Sequence, residues 1–118
     1  MGTFKDLRIW QQGIDLATNI YQITKIEPFR RDFGLCDQIQ RAAVSISSNI
    51  AEGEERNSNR TAIYFLNIAK GSCAEVITQL HIAHKIGYIT EQELNTLEND
   101  AQKIIASIRK LIRSKSEN

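Results

Sequence analysis

The feature of the sequence that most restricts its fold is a regular apolar repeat in the third quarter of the chain. Its members follow one another at alternating intervals of four and three residues: Ala62, Leu66, Ala69, Cys73, Val76, Leu80 and Ala83. This spacing keeps the side chains on one side of an α-helix and is typical of helices that pack in a left-handed bundle. The segment therefore predicts a long helix, from about residue 59 to residue 86, whose neighbours are also helices.

Three further segments have helical periodicity, and residues that interrupt or cap helices separate them. The predicted helices span about residues 4–26, 36–55, 59–86 and 91–114. The interrupting and capping residues are Pro28, Gly34, Ser58, Gly87, Thr90 and Glu93. Short turns join helices that run in opposite directions. The sequence thus predicts an all-α fold, an antiparallel up-down-up-down four-helix bundle, and a single domain of residues 1–118.

Two of the predicted helices are apolar on a second side as well. In the first helix one stripe contains Leu7, Trp10, Ile14, Ala17 and Tyr21, and a second contains Ile9, Leu16, Ile20 and Ile23. In the third helix a second stripe contains Tyr64, Ile68, Ile82 and Ile86. At about 100° per residue the two stripes lie roughly 130–140° apart in each helix. A helix in a monomeric bundle needs one broad apolar side, so we expect the second stripes to mediate association between chains.

The second predicted helix has small apolar residues on one side and a polar seam on the other. The polar seam consists of Gln38, Arg41, Ser45, Ser48, Glu52 and Arg56, with Asn49 beside it. It is rich in serine, so a solvated surface and a buried or interfacial one both remain open. Glu75 interrupts the second stripe of the third helix. A carboxylate among apolar neighbours needs a partner, and Arg41 is the preferred one.

The sequence contains no pattern that carries known catalytic or ligand chemistry. His81 and His84 have a spacing that suits a metal, but no third ligand accompanies them, so we expect partly buried polar side chains and no metal. The serines lack a neighbouring base and no glycine-rich phosphate loop occurs. We therefore expect no cofactor and no enzymatic activity. Cys36 and Cys73 are interpreted as reduced thiols.

Charge and hydropathy indicate whether the chain can bind nucleic acid or enter a membrane. The chain has 15 Lys and Arg against 14 Asp and Glu, a net charge of +1, so only a local patch could attract nucleic acid. The candidate contacts are Arg30, Arg31, Arg60, Arg109, Lys110 and Arg113, which are otherwise ordinary solubility charges. No run of eighteen apolar residues and no signal sequence occurs, so we expect a cytoplasmic protein that does not enter a membrane.

Several motifs between residues 39 and 89 match a known family. They are IQRAAVSISSNIAEG at 39–53, FLxIAxGSxxE at 65–75, Gln79-Leu80 and Gly87-Tyr88-Ile89. Together they resemble the small four-helix-bundle proteins encoded in intervening sequences of bacterial large-subunit ribosomal RNA genes, often labelled S23-type. The resemblance implies a bundle that assembles into a homopentameric ring. It also implies that fold and assembly depend on Arg41, Asn49, Glu52, Gly53, Arg56, Ser72 and Glu75.

The same resemblance extends to the accessory proteins of diversity-generating retroelements, whose pentameric bundles bind nucleic acid and a reverse transcriptase. Those relatives are markedly basic, whereas the present chain is nearly neutral. Two hypotheses for its function follow. The chain is either an interaction module that binds RNA, DNA or a nucleic-acid-associated protein, or a protein-only scaffold that binds no nucleic acid.

Overall fold

Four long helices make up the fold. The computed structural model describes residues 2–117, with α1 at Arg8–Thr24, α2 at Phe33–Glu54, α3 at Asn59–Lys85 and α4 at Glu91–Ser116. Short 3-10 turns occupy Phe4–Asp6 and Phe29–Arg31. Helices that follow one another in the chain pack together, and α4 returns to contact α1. The prediction of an all-α four-helix bundle is confirmed, and the molecule measures 47 × 22 × 19 Å.

The first two helices begin at other residues than predicted. A capping box between Thr3 and Asp6 closes a separate 3-10 turn, and the backbone is extended at Leu7, so α1 begins only at Arg8. Asp32 caps α2, because its Oδ1 accepts a hydrogen bond from the Leu35 amide at 3.0 Å. The helix therefore begins before the predicted residue 36, and Gly34 lies within its first turn.

The predicted signals around α3 and α4 are confirmed. The Ser58 side chain accepts a hydrogen bond from the Thr61 amide at 3.2 Å, which caps α3. Gly87 has a φ of 85°, a left-handed conformation that glycine adopts without strain. Thr90 and Glu93 form the expected capping box at the start of α4. These local interactions fix the turn between the two helices.

The core lies where the four helices face one another. The repeat of α3 is buried along its whole length, as predicted, and it meets apolar residues of α2 and α4. Cys73 belongs to this core, and burial raises the pKa of its thiol to about 12. Both cysteines are free thiols.

The orientation of α1 differs from the prediction. Ile9, Leu16 and Ile20 of its second stripe are buried in the core of the single chain, whereas Ile14 and Tyr21 of its first stripe are exposed. Gly13 lies on the same side as the buried stripe and allows α2 to come close, since a Cβ at Gly13 would lie 2.6 Å from Ser47 Oγ. The prediction that the second stripe of this helix mediates association is therefore wrong. In the first stripe Ile14 and Tyr21 are exposed, whereas Leu7, Trp10 and Ala17 are partly buried against the core.

Candidate interaction surface

The polar seam of α2 and the second stripe of α3 lie on the same outer side of the bundle. A groove of about 290 Å³ runs between the two helices, lined by Gln38, Arg41, Ala42, Ser45, Glu75 and Gln79. Tyr64, Ile68 and Ile82 on α3 and Ile86 directly after it are 62%, 37%, 46% and 53% exposed. We call the polar seam together with these four side chains and Glu75 the α2–α3 surface. It joins an apolar row to a polar border.

The middle of the polar seam is tied to α3 by hydrogen bonds. The Ser72 hydroxyl donates to Ser45 Oγ at 2.9 Å, linking the two helices. Asn49 Nδ2 donates to the carbonyl oxygen and the hydroxyl of Ser45 at 2.8 and 2.9 Å. Ser72 is buried and Ser45 and Asn49 are half-buried, whereas Arg41, Glu52 and Arg56 are exposed. The two interpretations of the seam thus apply to different parts of it: the centre is partly buried and the ends are solvated.

Arg41 does not pair with Glu75. Its Nε donates to Asp37 Oδ2 at 2.9 Å, and both Arg41 and Glu75 are exposed. Asp37 lies one helical turn earlier on the same helix, where a carboxylate comes within reach of an arginine without any change in packing. The predicted pairing is therefore wrong, although both side chains line the same groove.

An aromatic and a charged side chain meet at one end of the α2–α3 surface. The Arg56 guanidinium forms an ion pair with Glu52 and lies 4.7 Å from the centre of the Phe65 ring. Phe65 in turn packs edge-on against Tyr64, with ring centroids 5.2 Å apart. A guanidinium over an aromatic face contributes a favourable cation–π interaction. Glu52 and Arg56 lie four residues apart, a spacing that suits an ion pair on a helix, but nothing in the sequence indicated the contact with Phe65.

Gly71 lies on this side of α3, about 40° from Glu75 at 100° per residue. A Cβ at Gly71 would meet no atom within 4 Å, so nothing inside the single chain requires a glycine there. A glycine inside a helix costs about 1 kcal/mol relative to alanine. The α2–α3 surface therefore contains a small residue that destabilises the isolated helix and permits another backbone to come close.

Comparison with known proteins places this arrangement in a family. Residues 5–110 match the family model described as 23S rRNA-intervening sequence protein. The chain belongs to this family. A crystal structure of a protein of unknown function from the S23 ribosomal protein family of Bacteroides thetaiotaomicron VPI-5482 superposes with a TM-score of 0.81 at 27% identity. The match covers 88% of this chain and 97% of that one, and no curated protein matches the sequence.

In this chain, the residues that the resemblance assigned to fold and assembly gather where α2 meets α3. Arg41 and Glu75 line the groove there, and Ser72 and Asn49 bond to Ser45 beside it. A further link is present at the end of the surface, where Arg56 contacts Phe65. The family resemblance and the structure therefore direct attention to the same surface.

The candidate nucleic-acid contacts of this chain fall into two groups. Arg30 and Arg31 lie after α1, where Glu27 holds their Nε atoms at 3.5 and 2.6 Å. The other four are exposed at the start of α3 and the end of α4: Arg60, Arg109, Lys110 and Arg113. Since neighbouring helices are antiparallel, these groups lie at opposite ends of a molecule 47 Å long. A single chain does not combine them into one basic patch.

The histidines and acidic residues make no metal site in the part of the chain that the structure describes. His81 Nε2 lies 2.7 Å from Glu98 Oε1 and links α3 to α4, and His84 is half-buried. Within residues 2–117 no group of three or more potential ligands could hold a metal ion. Over the same range, no helix combines the length and apolar character needed to cross a membrane.

Proposed function

We propose that this family member is a non-enzymatic module that associates with copies of itself and presents repeated surfaces to a partner. The observation that carries the proposal is the row of exposed large apolar side chains on α3: Tyr64, Ile68, Ile82 and Ile86. The row consists of two exposed apolar pairs, Tyr64 with Ile68 and Ile82 with Ile86, on either side of Glu75. Exposed apolar groups with a polar border are characteristic of a protein–protein contact. Gly71 beside the row supports a close approach of helices from two chains.

A second apolar row lies nearby and supports a ring. Val44 is 45% exposed on α2 and Tyr21 is 42% exposed on α1, and both line a groove next to the polar seam. Ile14 is exposed on the same stripe of α1. When two different surfaces of one chain bind each other, the contact repeats from copy to copy and closes into a ring if the rotation allows. The family resemblance supplies the proposed number, a homopentamer.

The mass of the purified protein in solution tests this proposal. Light scattering should give about five times the chain mass of 13.4 kDa. Ile68→Asp and Ile82→Asp should each lower the mass to that of the monomer, because a carboxylate cannot be buried without a partner. Ala106→Asp on the exposed side of α4 is the matched control and should leave the mass unchanged. Circular dichroism verifies that each variant stays helical, and a monomeric wild-type protein would contradict the proposal.

The sequence left two kinds of partner open, a nucleic acid or nucleic-acid-associated protein and a protein alone. The charge distribution favours a protein. Glu27 pairs with both Arg30 and Arg31 and offsets one of their two positive charges, and the remaining candidate cations lie at the far end of the bundle. The basic residues at the end of α4 support the second candidate, RNA or an RNA-bound protein. A ring repeats these residues and raises their combined affinity for phosphates. Only a protein partner should remain bound after nuclease treatment.

A further inference from the structure

A groove with apolar walls lies between the start of α1 and the end of α4, across the bundle from the α2–α3 surface. Its volume is about 350 Å³, and its lining residues are Leu7, Arg8, Ile9, Ser107, Lys110, Leu111 and Ser114. Aliphatic side chains from both helices form its walls, with Leu7 and Leu111 only partly buried. The groove is therefore a separate feature from the surface proposed for self-association.

Positive charge surrounds the groove. Arg8 and Lys110 are exposed at its rim, and Arg109 and Arg113 are exposed nearby on the same end of α4. Among residues 2–117 no ion pair engages any of these four side chains. Asp6, two residues before Arg8, accepts a hydrogen bond from the Thr3 amide at 3.1 Å and forms no ion pair with a described residue. The rim cations are consequently free to meet carboxylates from another molecule.

The backbone adds to this field. Leu7 precedes α1 and offers no side-chain cap, so the amides that begin α1 lack a side-chain acceptor at the point where Arg8 and Ile9 line the groove. The start of a helix carries a partial positive charge and favours anions. The groove thus combines apolar walls with two independent sources of positive potential.

We propose that this groove binds an acidic, amphipathic peptide segment of a partner protein. One or two large aliphatic or aromatic side chains of the peptide fill the apolar space, and flanking Asp or Glu side chains pair with Arg8 and Lys110. An RNA backbone offers charge without apolar groups, and the groove contains no aromatic side chain on which a base would stack. Its chemistry therefore fits a peptide better than a nucleic acid.

The inference rests on the proposed role as a module that binds protein, and it is independent of self-association. The groove is complete within one chain, since both of its walls belong to the same bundle. Light scattering reports on association through the α2–α3 surface, whereas peptide binding reports on this groove. Failure of one proposal is therefore distinguishable from failure of the other.

Two steps test the inference. Peptides that bind the protein are first selected from a display library of short random peptides, and the affinity of the enriched peptide is then measured by fluorescence anisotropy. Enriched sequences should combine Asp or Glu with Leu, Ile or Phe. Lys110→Glu should weaken binding about tenfold by reversing a rim charge, and Ser107→Leu should weaken it similarly by filling the groove. Lys103 is on the same helix but outside the groove, so Lys103→Glu is the control for charge reversal. This variant should bind the enriched peptide as tightly as the wild type does.

Three results would overturn the inference. The first is a selection on the wild type that enriches no acidic and apolar motif. The second is an enriched peptide that binds Lys110→Glu and Ser107→Leu as tightly as the wild type. The third is polyuridine RNA that displaces the peptide and binds Ser107→Leu without loss, which would assign the basic residues to phosphate. Circular dichroism confirms that every variant keeps its helices.

Discussion

At the scale of single residues, the contact between Gly13 and Ser47 determines how closely α1 and α2 approach. A Cβ on residue 13 would lie 2.6 Å from Ser47 Oγ, well inside ordinary contact distance. That hydroxyl is buried and has no hydrogen-bond partner among the described residues. A buried polar atom without a partner lowers stability. The close approach of the two helices is therefore accompanied by an unsatisfied hydroxyl.

A double-mutant comparison tests this contact. Ser47→Ala should leave the free energy of unfolding unchanged or raise it by up to about 1 kcal/mol, because an unsatisfied group is removed. Gly13→Ala should lower it by about 1–2 kcal/mol through overpacking. In the Ser47→Ala background the same change should cost on the order of 1 kcal/mol less, since the obstructing oxygen is absent. Urea denaturation measures all four proteins, and an equal cost in both backgrounds would refute the explanation.

The positions of apolar residues could be predicted from the sequence better than the partners of polar residues. The alternating spacing identified Cys73 and its neighbours as core because burial follows directly from helical periodicity. Arg41 shows the limit, since the choice between Asp37 and Glu75 depends on distances that periodicity does not specify. The orphaned hydroxyl of Ser47 was also missed, because its environment depends on a glycine in another helix.

At the scale of elements, Asp32 fastens the start of α2 to the turn before α4. One carboxylate oxygen accepts the Leu35 amide at 3.0 Å, and the other accepts the Tyr88 hydroxyl at 2.9 Å. The bond to Asp32 and burial raise the pKa of the Tyr88 phenol, and its ring stacks on Phe29 at 5.1 Å. A single side chain thus caps one helix and positions a turn that lies far away in sequence.

Substitutions at both ends of this interaction separate its two roles. Asp32→Ala should lower the free energy of unfolding by about 2 kcal/mol, because it removes a helix cap and a tyrosine hydrogen bond. Tyr88→Phe removes only the second and should cost about 1 kcal/mol. Asp32→Asn keeps an acceptor for the cap, so it should lower the free energy of unfolding by less than Asp32→Ala does. Thermal and urea unfolding at one protein concentration supply the values, and equal losses for Asp32→Ala and Tyr88→Phe would mean that the cap contributes nothing.

The ends and orientations of the helices were predictable only where the determining residues are local. The caps of α3 and α4 rest on residues within three positions of each other, and they were identified correctly. The orientation of α1 was not, because both of its sides are apolar and the choice depends on how Gly13 meets α2. Composition alone cannot rank two apolar sides of one helix.

At the scale of the whole molecule, the four-helix architecture could be predicted because the apolar periodicity of each helix is a local property of the sequence. The α2–α3 surface was predicted in part, since its polar seam and apolar row are both periodic. The groove between α1 and α4 was not, because it brings together residues near 8 and near 110, about as far apart in sequence as the chain permits. Periodicity identifies the apolar sides of a helix. It does not show which part of such a side stays exposed after a helix distant in sequence packs against it.

The meeting of α1 and α4 also has a consequence for local opening. These helices share the least extensive contact of the neighbouring pairs, and the contact closes a loop of almost the whole chain, which is the most costly in entropy. Amide hydrogens of α1 should therefore exchange with solvent through a partial opening that leaves α2 and α3 paired. Hydrogen exchange monitored by NMR measures this directly, and a single common rate in the core of all four helices would show that the bundle opens only as a unit.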